Sequence, residues 1–439
     1  MDDDSQNHSD SVATESIGPV RVTGLSSDGA GVGRLPDGRV VFVEGGVPGD
    51  LVELVDLEIH KKLGRARIGR VLEASRDRVE ARCAHFGSCG GCLWQHVRYE
   101  AQLEAKRTRV RDALVRIGGF DLDDDLEIIG SPDPYAYRSR ARLIEDGGHL
   151  GYRQRGSHSV EAVRECPILV PAAQEAMTEL ARSLEQDVGS GDAARHDESP
   201  AGASSESRGG RRRGKRTKEW IVTAGSSGPG IVEQADGRPQ SRQSASVSLD
   251  FLGESIRAGG ASFIQGNALL WETLATIVRD ECSQDDGAGP PTRFVELYAG
   301  IGFLTLPLVR QGLSGVAIES DRSAYADLVA NLRAAGFGSR VEALRSRAEA
   351  RRDLPARLAK ADLLLADPPR AGLAKAVRDS IVSHGPKRLV YVSCDPATLA
   401  RDLRGFREAG YRLASARALD LFPQTPHVEV VARLERLEG

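Results

Sequence analysis

The fold is decided by RFVELYAGIGFLTLPLVRQGLSGVAIES, residues Arg293–Ser320. Two β-rich runs, RFVELYAG and GVAIES, flank an apolar segment, which is typical of a strand, helix and strand in succession. Five further strand-like runs follow: VEALRS (341–346), ADLLLADPP (361–369), RLVYVSC (388–394), YRLASARALD (411–420) and HVEVVARLER (427–436). Strands that alternate with helices predict an α/β class, with a doubly wound, mainly parallel sheet. The last two runs are separated by a loop alone, which predicts an antiparallel hairpin at one edge of that sheet.

Length and composition set limits on the protein class. A chain of 439 residues is long enough for two or three domains. Its 59 basic and 63 acidic residues give a net charge of −4, which excludes a uniformly basic surface. The longest apolar stretch, Leu297–Val309, is shorter than the roughly 18 residues that a membrane span needs. Six cysteines are too few for a disulfide scaffold. We therefore expect a cytoplasmic protein with no membrane segment, and we expect a monomer.

The N-terminal region divides into an acidic tail and a β-rich domain. Residues 1–16 contain five acids and no Lys or Arg, which predicts a disordered tail. Residues 17–75 contain short Val/Ile/Leu runs separated by Gly and Pro, which predict a small β-barrel. Its segment Lys61–Arg70 carries five basic residues and no acid. This segment predicts either a phosphate-binding face or a solvated strand edge.

Residues 76–250 are predicted to form a central α+β domain. An amphipathic helix is expected over Tyr99–Ile117, and a strand-like run over Tyr135–Leu143 places Arg138, Arg140 and Arg142 on one face. Residues 186–246 are rich in Ser, Gly and Ala and include the Arg-rich run Arg208–Lys218. That composition predicts a low-complexity, disordered insertion with no catalytic role. The remaining residues, 251–439, form the predicted α/β domain.

Three strand ends of the α/β domain predict a cofactor site. The first strand leads into Gly300 and Gly302, which let a ligand approach the backbone. The next strand ends at Glu319, and an acid there can bind both hydroxyls of a ribose. The fourth strand ends in Asp367-Pro368-Pro369, and the prolines keep Asp367 at the ligand crevice. The turn lacks the third glycine of the dinucleotide fingerprint, so the series favours S-adenosylmethionine over NAD.

The fifth and last strands carry candidate catalytic residues. Cys394 follows the fifth strand, and Asp395-Pro396 predicts the start of a helix whose dipole can stabilise a thiolate. A buried structural cysteine is the alternative. Glu429 lies within an otherwise apolar strand, where an uncompensated carboxylate is costly. Thiol and carboxylate would form a covalent acid/base pair if both face one crevice, and His427 is the rival base.

These motifs carry a family resemblance. FIQGN (263–267), ELYAGIG (296–302), DPPRAG (367–372), SCDPATLARDL (393–403) and FPQTPHVE (422–429) resemble the motif series of the RNA uracil-5 methyltransferases of the TrmA/RumA type. The N-terminal barrel resembles the TRAM domain, an RNA-binding, OB-like module. The resemblance implies that Cys394 is the nucleophile and Glu429 the base. It also implies that S-adenosylmethionine is contacted by Gln265, Tyr298, Glu319 and Asp367.

Two positions depart from the family pattern or leave it open. Phe303 stands where some members have Asn in the glycine turn, so a polar cofactor contact there is not expected. Glu349 is the one acid in Ser346–Glu349 that could contact the adenine, and that contact is left open.

A cysteine cluster predicts a metal centre. Cys83, Cys89 and Cys92 lie within ten residues of one another, and Cys166 is remote in sequence. Four such thiolates can hold a tetrahedral Zn²⁺ or a cubane iron–sulfur cluster. Cluster-bearing members of the resembled family share this spacing, which favours [4Fe–4S] over zinc and implies a structural or RNA-shaping role.

The predicted activity is transfer of a methyl group from S-adenosylmethionine to C5 of a uridine in RNA. In the resembled family the combination of barrel and cluster is typical of the branch that acts on large-subunit ribosomal RNA, so the resemblance implies 23S rRNA as the substrate, and tRNA is the close alternative. Two other hypotheses are an amino-directed nucleic-acid methyltransferase, which would need no thiol, and a non-catalytic RNA-binding or assembly protein.

Overall fold

The computed structural model describes residues 17–122, 126–193, 218–235, 238–239, 246–284 and 289–437. The predicted acidic tail and most of the Arg-rich run 208–218 lie outside the described residues. The chain forms two compact units. The first contains the described residues up to Ala81, together with Leu93–Ala105 and Gln424–Pro426; the second contains Arg82–Cys92, Lys106–Pro423 and the residues from His427 onward.

The first unit contains a closed five-stranded barrel in the order β1-β2-β3-β5-β4, which confirms the predicted small barrel. Its strands are β1 (Ile17–Leu25), β2 (Gly31–Arg34), β3 (Val40–Glu44), β4 (Leu51–His60) and β5 (Leu63–Glu73). Alternate apolar residues of these strands, among them Val20, Val41, Val52 and Leu54, are buried inside the barrel. The two-residue side-chain period of the strands therefore explains the apolar spacing of the sequence.

The arginines of the barrel surface are paired with acids. Arg65, Arg67 and Arg70 form ion pairs with Asp28, Asp56 and Glu53. Two of these acids lie on β4, which is antiparallel to β5 and places its side chains beside those of the arginines. Three of the five basic residues of Lys61–Arg70 are therefore paired with acids, which fits the alternative of a solvated strand edge.

The predicted helix near residue 100 is confirmed as α1 (Tyr99–Asp112), which continues as a π-helical turn through Gly118. A short strand, β6 (Glu127–Ile129), follows. A six-stranded sheet then has the order β12-β11-β10-β7-β8-β9. Its strands are β7 (Arg140–Asp146), β8 (His149–Arg153), β9 (Val160–Ala162), β10 (Lys218–Gly225), β11 (Gly228–Ala235) and β12 (Arg238–Pro239). The strand expected over Tyr135–Leu143 thus begins only at Arg140.

The prediction of a low-complexity insertion over residues 186–246 is wrong for part of that range. The long helix α2 (Pro171–Ala193) extends into it, and β10 pairs with both β11 and β7. Ile221 and Val222 of β10 are both buried, and Val222 belongs to the same apolar cluster as Met177 of α2. The run WIVTA has enough apolar residues for a central strand, but the surrounding Ser, Gly and Arg masked it in the average composition.

A two-stranded sheet joins the central and C-terminal segments. It consists of β13 (Ser246–Phe251) and β14 (Glu254–Gly259), which pair along their whole length. The predicted domain boundary after residue 250 therefore falls inside β13. The alternating burial of Val247, Leu249 and Phe251 explains why this segment is one continuous strand.

The C-terminal segment forms an eight-stranded sheet in the order β17-β16-β15-β18-β19-β21-β20-β6. Its remaining strands are β15 (Arg293–Leu297), β16 (Ser314–Glu319), β17 (Val341–Arg345), β18 (Leu363–Ala366), β19 (Arg388–Ser393), β20 (Tyr411–Leu419) and β21 (Glu429–Arg436). The first five of these strands are parallel to one another, and β21 is antiparallel to both β19 and β20. All seven predicted strands are confirmed, but the hairpin is not at the edge because β6 pairs with β20.

Helices cover both faces of this sheet. They are α3 (Trp271–Ser283), α4 (Thr305–Arg310), α5 (Arg322–Ala334), α6 (Leu354–Leu358), α7 (Lys375–His384) and α8 (Pro396–Glu408). Two large apolar clusters result, one on each face. Strands β18 and β19 are buried at every position, as parallel strands between two helical layers must be. Within the described residues, no helix is both long and apolar enough to cross a membrane.

Candidate active site

A cavity of about 690 Å³ lies at the carboxyl ends of β15, β16, β18 and β19. Open α/β sheets bind ligands at this edge. Seven of the eight residues predicted for the cofactor and the chemistry line it: Gln265, Tyr298, Gly300, Glu319, Asp367, Cys394 and Glu429. The volume lies within the range of about 300–1,000 Å³ that small-molecule sites occupy.

The glycine turn after β15 holds the carboxylate of Glu319. The backbone N–H of Gly300 donates to one carboxylate oxygen at 2.8 Å, and that of Asp321 donates to the other at 2.6 Å. Gly300 and Gly302 both have positive φ, at 57° and 90°. Gly302 does not line the cavity, and a Cβ there would lie 2.9 Å from the side chain of Leu328. The turn therefore requires glycine at this position, and the predicted cofactor contact of Gly302 stays a prediction.

Two buried acids lie beside Gln265 on the cavity wall. The side-chain amide of Gln265 donates to Asp367 at 3.2 Å. Burial raises the pKa of Asp367 to about 7. Glu296, within β15, accepts a hydrogen bond from the Thr305 hydroxyl at 2.6 Å. Burial, with Asp367 and Glu319 nearby, raises the pKa of Glu296 to about 8. Sequence reasoning missed Glu296, although a lone acid in an apolar strand was the signal that identified Glu429.

Cys394 lies between the end of β19 and the start of α8. Asp395 caps the helix by accepting the N–H of Thr398 at 2.8 Å, as the sequence predicted. The expected stabilisation of the thiolate is not seen, because burial and the carboxyl groups of Glu429 and Asp367 raise the pKa of the Cys394 thiol to about 11. Arg370 opposes this effect through its charge and a hydrogen bond to the thiol. In the ligand-free protein Cys394 is therefore a protonated thiol at neutral pH.

Glu429, rather than His427, shares the cavity with Cys394. Glu429 is the first residue of β21, and its side chain is buried. Burial has the largest effect on its pKa and the charge of Asp367 the second largest, and together they raise the pKa well above the usual range of a glutamate. His427 does not line the cavity. Burial and the charges of Arg370, Arg109 and Lys106 lower the pKa of His427 to about 4, so it is a weak base.

Arg370 is a site residue that the sequence analysis did not single out. It follows the two prolines after Asp367, lines the cavity, and favours the charged forms of both Cys394 and Glu429. Its place within the DPPRAG motif was the available signal. Phe303 lines the cavity with an apolar ring that packs against Phe251, with 4.5 Å between ring centroids. Glu349 does not line the cavity.

Three arginines line another part of the cavity wall. Arg138, Arg140 and Arg142 all face it, as the sequence predicted for one face of a strand. Arg142 pairs with Glu219 at 3.0 Å. Burial, followed by repulsion from Arg142 and Arg138, lowers the pKa of Arg140 to about 10, and its Nε atom has no hydrogen-bond partner among the described residues. Excess positive charge next to an open cavity favours an anionic ligand.

The raised thiol pKa has a direct test in alkylation. Because only the thiolate reacts, Cys394 in the free protein should react slowly with iodoacetamide at pH 7, and the rate should rise about tenfold per pH unit towards pH 11. Arg370→Ala removes the stabilising cation, so it should slow the reaction further at a given pH. Peptide mass spectrometry resolves Cys394 from the other cysteines, and the buried Cys282 is the internal control. Rapid labelling of Cys394 at pH 7 would contradict the assignment.

The four cysteines of the predicted metal centre are in the second unit. Cys83, Cys89, Cys92 and Cys166 are half-buried and form no disulfides. Burial raises the pKa of the Cys89 thiol, and the nearby Cys166 and Cys83 contribute to the shift. No group of three or more His, Cys, Asp or Glu side chains in the described part of the chain is placed to hold a metal ion.

Comparison with known families gives two matches. Residues 254–437 match the family model described as tRNA (Uracil-5-)-methyltransferase, and residues 16–68 match the TRAM domain. These ranges correspond to the predicted α/β domain and the predicted barrel. The barrel is thus a TRAM domain, which confirms the resemblance noted from the sequence.

Similar proteins cover nearly the whole chain. An uncharacterized RNA methyltransferase of Thermosynechococcus vestitus is 33% identical over 451 residues, covering 94% of this chain and 97% of the relative. The 23S rRNA (uracil(1939)-C(5))-methyltransferase RlmD of Halomonas elongata is 33% identical over 438 residues, covering 94% of this chain and 88% of the relative.

Among solved structures, the tRNA (uracil-54, C5)-methyltransferase of Pyrococcus abyssi in complex with S-adenosyl-L-homocysteine matches with a TM-score of 0.68. The alignment covers 95% of this chain and 100% of the solved structure at 23% sequence identity, which supports a shared fold. Together with the two relatives, the matched family model supports an RNA uracil-5 methyltransferase over the amino-directed and non-catalytic hypotheses. The chain belongs to the RNA uracil-5 methyltransferase family and is an S-adenosylmethionine-dependent enzyme of that family.

Proposed function

We propose that this enzyme methylates C5 of a uridine in 23S rRNA through a covalent bond between Cys394 and C6 of the base. The observation that carries the proposal is that Cys394 and Glu429 line one cavity together with Gln265, Glu319 and Asp367. A nucleophile and a base must reach the same ring, and the cavity brings both to one place. Because the ring is inaccessible in a stacked helix, the uridine must leave the stack to enter.

Cys394 starts the reaction as a nucleophile. Carbon 5 of uracil is a weak nucleophile, and a thiolate that adds to C6 converts the ring to an enolate whose C5 can attack a methyl group. The Cys394 proton must be lost first, and Arg370 stabilises the resulting thiolate by charge and hydrogen bonding. Bound S-adenosylmethionine supplies the electrophilic methyl group.

Glu429 completes the reaction as a base. After methylation C5 still carries a proton, and removal of that proton expels the Cys394 thiolate from C6 and restores the double bond. A buried carboxylate beside Asp367 is a stronger base than a solvated one, because burial and repulsion raise its pKa. The positive charge of Arg370 favours the ionised form of Glu429, which accepts the proton.

Glu319 is the residue we expect to hold the ribose of the cofactor. Two backbone N–H groups fix its carboxylate at the cavity wall. In Glu319→Gln the amide loses one charged acceptor, so we expect the dissociation constant for S-adenosylmethionine to rise by roughly 10–100-fold. Calorimetric titration measures it. The matched control is Glu408→Gln, which changes an exposed acid of α8 outside the cavity and should leave the affinity unchanged.

The choice of RNA is supported by the relatives. The curated relative from Halomonas elongata acts on 23S rRNA by its name, and the TRAM domain and the three cavity arginines suit an RNA ligand. The description of the matched family model makes tRNA the second candidate.

The test of the proposal is methyl transfer to RNA that lacks 5-methyluridine. Labelled S-adenosylmethionine is supplied with 23S rRNA and tRNA purified from a strain deleted for the gene. We expect 5-methyluridine to form in 23S rRNA at a single defined position. Methylation of tRNA alone would favour the second candidate, and no 5-methyluridine in either RNA would overturn the proposal.

We further propose that Cys83, Cys89, Cys92 and Cys166 hold a [4Fe–4S] cluster, with zinc as the alternative. The support is that Cys83 contributes to the raised pKa of both the Cys89 and the Cys166 thiols, so these three cysteines lie near one another in a half-buried region without disulfides. Their described side chains are not arranged around a metal, so ligation would require them to rearrange. Four cysteine thiolates are the usual ligands of such a cluster. The cluster would stabilise this region, and no step of the methyl transfer is assigned to it.

Anaerobic reconstitution tests the cluster. We expect about four iron and four sulfide ions per chain, as the cluster formula requires, and a loss of both in Cys89→Ser. Cys282→Ala, a thiol in α3 outside this region, should keep the full content. One zinc and no iron per chain would replace the iron–sulfur assignment, and no metal would remove it.

A further inference from the structure

We propose that Lys106 is a positioning residue for methyl transfer, which fixes the backbone of Phe422 in the cavity wall without touching the reactants. The inference concerns the same cavity and rests on the proposed function. Lys106 lies on α1, and its side chain is fully buried.

The ion pair of Lys106 and Asp420 holds both polar groups of Phe422. The Lys106 ammonium donates to the Asp420 carboxylate at 2.5 Å and to the carbonyl oxygen of Phe422 at 3.1 Å. The same Asp420 oxygen accepts the backbone N–H of Phe422 at 3.0 Å. One buried pair therefore fixes the peptide groups on either side of this residue.

The segment that contains Phe422 is neither a strand nor a helix. It joins β20, which ends at Leu419, to β21, which begins at Glu429. The hydroxyl of Tyr137 adds a hydrogen bond to the carbonyl of Pro423 at 2.9 Å. Because no regular strand or helix fixes this backbone, buried side chains from other elements have to set its position.

The segment forms part of the reaction site. Leu421 and Phe422 line the cavity, and the Phe422 ring meets the His427 ring edge-on with 6.0 Å between centroids. Seven residues after Phe422 the chain reaches Glu429. A displacement of this wall therefore changes both the shape of the base pocket and the approach of the proposed base.

Stability alone gives a weak reason for this pair. Burial lowers the pKa of Lys106, which shows the cost of removing the ammonium from water. The second carboxylate oxygen of Asp420 has no hydrogen-bond partner among the described residues, although it is buried. An apolar pair of similar volume is often as stable as a buried ion pair. An apolar pair would not hold the N–H and the carbonyl of Phe422.

Three variants separate positioning from stability. Lys106→Met removes the donor to Phe422, and Lys106→Met/Asp420→Leu replaces the pair by apolar groups. Asp420→Asn keeps an acceptor for the N–H of Phe422 but removes the negative charge, and the Lys106 amine still donates to the carbonyl of Phe422. Lys375→Met, in an exposed ion pair with Asp379, is the control.

The measurements are thermal midpoint, S-adenosylmethionine affinity, and kcat and KM on total RNA that lacks 5-methyluridine. We expect kcat of Lys106→Met and of the double variant to fall by about 10²-fold relative to wild type, because a misplacement of about 1 Å near the reacting groups costs that much. Their affinity for S-adenosylmethionine should stay within about twofold of wild type. The double variant should recover most of the thermal midpoint that Lys106→Met loses. Asp420→Asn should lose thermal stability but keep kcat within about threefold of wild type, because its acceptor and donor roles remain.

Two outcomes would overturn the inference: wild-type kcat in the double variant, or a Lys106→Met protein that no longer binds the cofactor. The second outcome would assign Lys106 to folding alone. Wild-type enzyme that methylates no RNA would instead refute the proposed function, so the two failures are distinguishable.

Discussion

Replacement of Cys394 by alanine should abolish methyl transfer while the protein still binds S-adenosylmethionine. Without the sulfur no bond to C6 can form, and C5 has no enolate character with which to attack the methyl group. We expect a loss of at least about 10⁴-fold in kcat, as for other enzymes that lose their nucleophile. The assay is incorporation of labelled methyl groups into RNA that lacks 5-methyluridine.

Two observations make the Cys394 result specific. The dissociation constant for the cofactor should change less than about threefold, because that binding depends on other wall residues such as Glu319. Cys282→Ala is the control, since this thiol is buried in α3 and does not line the cavity. A Cys394→Ala enzyme with more than a small fraction of wild-type activity would refute the covalent mechanism.

Glu429→Gln should stop the reaction after methylation and trap the RNA on Cys394. Glutamine cannot remove the C5 proton, so the bond between sulfur and C6 is not broken. We expect turnover to fall by about 10²–10⁴-fold, the usual contribution of a general base. A shifted protein–RNA band on a denaturing gel, labelled by the methyl group of the cofactor, measures the adduct.

Matched variants test whether the effect belongs to Glu429. Glu296→Gln changes another buried acid of the same cavity, but Glu296 is not among the charges that act on Cys394. It should give no stable adduct. The double variant Cys394→Ala/Glu429→Gln should give none either. If Glu429→Gln turns over normally, His427 becomes the better candidate for the base.

The succession of strands along the α/β domain and the residue types at the strand ends could be predicted from the sequence. The seven strands of the α/β domain follow from short apolar runs bounded by turn residues, which are local signals. Glu319 and Asp367 were located because each residue ends a strand, and parallel strands end at one edge of a sheet. The helix start at Asp395-Pro396 was readable for the same reason, because capping depends on a few adjacent residues.

One expectation failed because it depended on neighbours that are distant in sequence: the predicted low-complexity region contains the central strand β10. Two interpretations were left open for the basic run of the barrel, and the ion pairs of Arg67 and Arg70 with acids of β4 favour the solvated strand edge. Neither composition nor residue spacing shows which side chains of distant segments contact each other.

By itself, the sequence determined the class of fold, the succession of strands along the α/β domain and the residue types at the strand ends, because hydrophobic period and turn chemistry are local properties. Only the tertiary structure decided the protonation of Cys394, the role of Arg370 beside it and the burial of Lys106 with Asp420. These properties depend on burial and on charges that meet through space, and such contacts exist only after the chain has folded.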